Sequence, residues 1–239
     1  MGSILDQRPP TEEGREPILR SPPIVTAFIL AFIVVHVGML FFDEATFYAV
    51  FDILALTPER FAYFGWNAME GLASALVSYM SLVTYAFLHG DFVHLIFNSL
   101  WFLILAPAVA RRVGTGRFLA LSLAATLGAA ITHLVFHWGS PVPVVGASGA
   151  VAGLMGAAFR FILIDPQATP VWPPQRLPLF SRPVLLWSAV WIVLNVVLGI
   201  TGFAPEGFGR AIAWEAHIGG FLAGLISFPL FDRRRSWIS

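Results

Sequence analysis

An all-α membrane protein, six spanning helices with a membrane-surface segment between the first and second, is what this 239-residue sequence predicts. Composition is the first reason: 57% of residues are hydrophobic and 12% charged, with a mean hydropathy of +0.78, whereas a soluble domain is about 45–50% apolar and about 25% charged. The second is six apolar runs, each within the roughly 17–25 residues that a spanning helix needs. The third is the placement of arginine, which alternates between rich and poor connections along the chain.

Residues 1–23 are polar and carry Glu12, Glu13, Arg15, Glu16 and Arg20, the pattern of a short tail. The first span is Ile24–Phe42, and no small-residue cleavage site separates it from Asp43-Glu44, so it reads as a retained helix. Residues 43–91 are half apolar, with Phe61, Tyr63, Phe64, Trp66 and Tyr79 among scattered charges; aromatic-rich amphipathic segments favour the membrane interface. The remaining spans are Phe92–Ala110, Phe118–Trp138, Ser148–Ile164, Pro183–Ile200 and Ala211–Phe231, leaving a membrane domain over 24–231 and a tail over 232–239. With the N-terminus inside, the inner segments hold Arg8, Arg15, Arg20, Arg111, Arg112, Arg117, Arg160, Arg176, Arg182 and Arg233 to Arg235, and the outer ones only Arg60 and Arg210. That asymmetry predicts both termini in the cytoplasm.

Several chemistries are excluded. The net charge of +0 offers nothing to nucleic acid, the absence of Cys removes thiolate metal sites and thiol nucleophiles, and the absence of Lys removes Schiff bases and Ser-Lys pairs. Polar side chains at membrane depth are costly and tend to face a cavity or a partner. The candidates are His94 and Asn98 in the second span, Ser148 at the head of the fourth, and Glu215 and His217 in the sixth. These spans run parallel, so depth follows from the distance to the next inner polar residue. Ser148 stands seventeen residues before Asp165, His217 fifteen before Asp232, His94 seventeen and Asn98 thirteen before Arg111. At about 1.5 Å per residue these are roughly 25, 22, 25 and 20 Å, one common level in the outer half of a core about 30 Å thick.

Glycine permits the helices to meet there. Gly149, Gly153 and Gly156 run along the fourth span, and Ala216, Gly220 and Gly224 along the sixth beside His217; small residues at that spacing let membrane helices approach closely. A serine hydroxyl becomes nucleophilic once a neighbouring imidazole takes its proton. The oxyanion then requires donors, which Asn98, His94 and the Ser148 backbone N–H could supply. His36, His133, His137 and Asn195 carry no motif and read as packing or interfacial residues; Glu215, near the outer end of its helix, reads as water-facing. Without a paired spacing such as His-Glu-x-x-His, no metal is expected, and no cofactor is required.

At these residues the chain resembles the rhomboid intramembrane serine proteases. Gly146-Ala147-Ser148-Gly149 matches that family's Gly-x-Ser-Gly turn, His94 to Asn98 its His-x-x-x-Asn, and Ala216-His217-Ile218-Gly219-Gly220 its Ala-His-x-Gly-Gly. The resemblance implies a catalytic dyad of Ser148 and His217, with His94, Asn98 and the Ser148 amide as oxyanion hole. It implies a structural role for His89. Two positions depart from the pattern: Ala152 stands where an aromatic often packs on the catalytic imidazole, and Ala110 where an acidic residue often closes the second span. A Trp-Arg pair is absent from the first loop. The expectation is an endopeptidase that cleaves transmembrane segments of protein substrates near the outer face of a bacterial plasma membrane. A non-proteolytic relative that binds client helices is the alternative; a transporter is disfavoured because the fourth and sixth spans are almost wholly apolar on the inner side of the serine and histidine.

Overall fold

The computed structural model describes residues 21–64, 71–163, 175–202 and 212–232. The two terminal tails (1–20 and 233–239), Trp66, Arg210 and the stretches expected to join the fourth to the fifth span and the fifth to the sixth lie largely or wholly outside them. Nine α-helices form among the described residues: α1 Pro23–Met39, α2 Glu44–Leu54, α3 Pro58–Phe64, α4 Gly71–Thr84, α5 Phe92–Val113, α6 Thr115–Phe136, α7 Ser148–Phe159, α8 Arg182–Thr201 and α9 Trp214–Phe231. A 3₁₀ turn, Tyr85–Phe87, follows α4. The β-structure among the described residues is a single antiparallel bridge, Leu56 to Val144.

Local chemistry sets the helix ends. Pro23 stands in the first turn of α1 and Pro183 in that of α8, where the missing N–H costs nothing. Asp43 caps α2 by accepting from the Thr46 N–H at 2.8 Å, and Asp91 caps α5 by accepting from the His94 N–H at 2.8 Å. Gly114, at φ +80°, both ends α5 and begins α6. Only glycine takes that conformation at little cost, so one residue reverses the chain between two 22-residue helices.

Three helices, α5, α6 and α8, are long and apolar enough to cross a bilayer. The expected fourth span, Ser148–Ile164, is shorter than anticipated: α7 ends at Phe159 after 12 residues, about 18 Å of rise against a core of about 30 Å. Its N-terminus is reached by a loop that dips into the bundle, since Gly146 and Ala147 are buried and the Gly146 N–H donates to the Tyr85 carbonyl at 2.9 Å. The 43–91 segment is also helical. Its later part lies deeper than a surface segment would: Ser78, Ser81 and Tyr85 are buried, and the Tyr85 hydroxyl donates to the Thr126 carbonyl of α6 at 3.0 Å.

Packing centres on α9, which lies between α6 and α7. Along α7–α9, a Cβ on Gly220 would strike the Gly149 carbonyl, and one on Gly224 the Gly153 carbonyl. Along α6–α9, Gly128 faces Gly219 and Ala223. These glycines carry backbone-to-backbone contact that any side chain would force apart. Phenylalanines 28, 32, 87, 102 and 118 join α1, the 3₁₀ turn, α5 and α6, with neighbouring ring centroids 5.4–6.2 Å apart. At the far end from Ser148, the Arg112 guanidinium meets the Asp232 carboxylate at 2.9 Å, both buried, and the Arg160 Nη1 donates to the Leu225 carbonyl at 2.8 Å. The C-terminal ends of α5, α7 and α9 therefore lie together, and Arg112 and Arg160, read from sequence as topology signals, are also structural bonds across the bundle.

Candidate active site

Gly146 begins the site. Its φ of +120° is a glycine conformation, and the space its side chain would fill is taken: a Cβ there would come within 2.6 Å of His94 Cε1 and Nε2 and 3.7 Å of Asn98 Nδ2. The turn before Ser148 is thus pressed against both side chains expected to bind an oxyanion. Two more ties fix this loop to the 43–91 segment. Leu56 and Val144 exchange backbone hydrogen bonds at 3.2 and 2.9 Å, and the Glu59 N–H donates to the Ser140 carbonyl at 2.9 Å. Arg60 braces the same corner through the Ala55 carbonyl and the Thr57 hydroxyl.

Ser148, His217 and Asn98 line one cavity of about 320 Å³, together with Ala152, Trp191 and Asn195. Three of the four residues that the sequence places at one depth share this wall, and His94 abuts the turn through Gly146. Ser148 and His217 face the cavity without a hydrogen bond between them among the described residues. Asn98 is buried and uses one amide N–H on the His94 carbonyl at 3.0 Å, which leaves a second to offer. Ser148 begins α7, where backbone N–H groups lack intrahelical acceptors.

Asn195 reads from sequence as a packing or interfacial residue; the structure instead puts it in hydrogen-bond contact with His217. Its Nδ2 donates to the Trp191 carbonyl at 2.9 Å, so its Oδ1 is the atom facing His217 Nδ1 at 3.0 Å. An amide oxygen only accepts. His217 Nδ1 therefore carries the proton, and Nε2 is left with its lone pair, the form a general base requires. Sequence reasoning missed this residue because Asn195 lies on α8, outside every motif; its position one turn beyond Trp191 on an apolar helix was the available signal. Trp191 stacks on Phe221 of α9, centroids 4.3 Å apart. Asn195 supplies a hold on His217 that needs no aromatic at Ala152, and Trp191 lines the same cavity as both.

Glu215 is likewise corrected. It is buried rather than water-facing, and its Oε1 accepts from His133 Nδ1 at 2.8 Å and His137 Nε2 at 3.0 Å. His133 and His137 are one helical turn apart, so the chain does hold paired imidazoles at ligand spacing. His36, also outside the motifs, lies 3.1 Å through Nδ1 from the His89 carbonyl, and His89 sits between Phe32 and His94, centroids 5.4 and 5.3 Å away. Burial, reinforced by the neighbouring His94 and His36, pushes the His89 imidazole down to about 3.

Comparison with known proteins agrees with this architecture. Residues 77–233 match the Rhomboid domain family. The chain is 29% identical over 175 residues to the rhomboid protease GlpG of Yersinia enterocolitica, covering 73% of this chain and 56% of that protein. It is 32% identical over 142 residues to GlpG of Klebsiella pneumoniae, covering 59% and 45%, and 33% identical over 162 residues to the rhomboid protease GluP of Bacillus subtilis, covering 68% and 28%. These matches span about half or less of the length of those relatives. A helical bundle with apolar spans, matched over most of its length, defines an integral membrane protein; the chain belongs to the rhomboid family.

Proposed function

We propose that the protein is an intramembrane serine endopeptidase that cleaves transmembrane segments of other membrane proteins. The observation that carries the reading is the shared cavity: Ser148, His217 and Asn98 open onto it together, and Asn195 holds His217 in the tautomer of a base. Ser148 Oγ attacks the scissile carbonyl as His217 Nε2 takes its proton. The oxyanion is held by Asn98, His94 and the Ser148 N–H. His217 then protonates the leaving amine, and water in the cavity resolves the acyl-enzyme. The similarity to proteins named rhomboid protease supports the same reaction class.

The substrate must be locally unwound, because helical carbonyls are already hydrogen-bonded and no peptide bond is attacked while its backbone remains helical. Segments with small or helix-weakening residues near one end of the span fit that need. The arginine distribution supports six spans with both termini cytoplasmic, which puts Ser148 toward the outer face of a bacterial plasma membrane. Labelling by a serine-directed fluorophosphonate tests the site without a known substrate. Wild type is expected to label, with loss in both Ser148→Ala and His217→Ala. Absence of labelling, together with retained binding of client helices, favours the non-proteolytic alternative.

A further inference from the structure

We propose that His133, His137 and Glu215 form a binding site for an exchangeable zinc-class cation, where the end of α6 meets the start of α9. The two imidazoles stand one turn apart at the end of α6, His133 in its last turn and His137 capping it, centroids 4.6 Å apart, and Glu215 meets them from the first turn of α9. One donor atom from each of the three residues lies within 4.8 Å of the others. Two nitrogens and one carboxylate oxygen are the donor set of an open, three-ligand zinc site, whose fourth position takes water or an exogenous group. In a tetrahedron with bonds of about 2.0–2.2 Å the donors stand roughly 3.3–3.6 Å apart; the present 2.8 and 3.0 Å contacts open by roughly 0.3–0.8 Å, and the two nitrogens already lie within 4.8 Å.

Access and charge both favour a cation. Side-chain exposure rises from 3% at Glu215 and 8% at His133 to 45% at His137, so the site opens through His137 into a second cavity of about 290 Å³ that Ser140 and Trp214 also line. Glu215 is buried with the two imidazoles as its side-chain partners among the described residues, and a buried carboxylate is stabilised most by a cation beside it. Among the described residues His133 Nε2 is buried without a hydrogen-bond partner, so no outer hydrogen bond of the kind that tightens histidine–metal sites is made by them. The ion is therefore held weakly enough to exchange. When bound, it ties α6 to α9 two residues before His217, which couples metal occupancy to the placement of the proposed base.

The test is titration of the tag-free, chelator-treated full chain in detergent with Zn²⁺ by calorimetry and with Co²⁺ by visible absorption. Expected are one ion per chain and the d–d bands of a four-coordinate cobalt site, both lost in His137→Ala and in Glu215→Gln and both kept in Ser148→Ala. His137 is half exposed, so its removal opens no core. The retained binding of Ser148→Ala separates this site from the proteolytic reading, either of which can fail alone. Zinc binding or a cobalt spectrum that is the same in wild type and His137→Ala overturns the proposal, as does absence of binding in the wild type.

Discussion

Asn195 decides which nitrogen of His217 carries the proton, a choice no motif expresses. Replacing it by leucine removes the Oδ1 acceptor and lets the imidazole turn or change tautomer. The expected result is a fall in fluorophosphonate labelling and in turnover on the order of 10- to 100-fold, a part of the roughly 10²- to 10⁴-fold that general-base catalysis supplies. Asn195→Asp keeps an acceptor and retains most activity, whereas a merely structural role would make both variants lose thermal stability together. His89 makes a second prediction at this scale. Its imidazole, held at about 3 in the fold against an ordinary value of about 6.5, stays neutral while the unfolded chain takes up a proton. Stability is thus full above pH about 6.5 and is lost as pH falls toward about 3. Thermal unfolding at neutral and mildly acidic pH should show a larger drop for wild type than for His89→Asn.

Helix pairs depend on glycines that are indistinguishable by sequence and opposite in consequence. Gly220 abuts the Gly149 backbone, so Gly220→Ala must separate α7 from α9; overpacking of this kind costs about 1–3 kcal/mol, and here it also shifts Ser148 relative to His217. Gly116, in the first turn of α6, has nothing within 4 Å of where a Cβ would stand, and Gly116→Ala is expected to be neutral or to stabilise by up to about 1 kcal/mol through the unfolded chain. Melting temperatures of the two variants in one detergent check the contrast. The spacing of Gly149, Gly153 and Gly156 was legible as a close-approach face because helical periodicity places them on one stripe. Which helix filled that stripe was not, since α6 and α9 both present small residues.

Across the bundle, the Arg112–Asp232 pair joins the end of α5 to the end of α9 at the pole opposite the cavity. Breaking a buried pair by removing one partner costs about 3–5 kcal/mol, so Arg112→Met is expected to lower the unfolding temperature sharply while the cavity residues keep their chemistry. Fluorophosphonate labelling below that temperature should persist, because neither partner touches the 320 Å³ cavity. The double variant Arg112→Met with Asp232→Leu should recover much of the loss, as apolar replacements of buried ion pairs often do.

The sequence by itself determined the helical membrane class and singled out the candidate residues: the proposed nucleophile turn, the proposed base and the two oxyanion candidates. These follow from hydropathy, helical rise and local motifs, quantities that depend on neighbours along the chain. Counting residues placed Ser148, His217, His94 and Asn98 at one depth because helical rise per residue is nearly constant. Only the tertiary structure decided that α7 stops at Phe159, that Asn195 reaches His217, and that Glu215 turns inward to His133 and His137. Each of these depends on which face of one helix meets which face of another. Rotation about a helix axis is set by packing against partners distant in sequence, and an apolar helix such as α8, hydrophobic all round, carries no periodicity from which that rotation can be read.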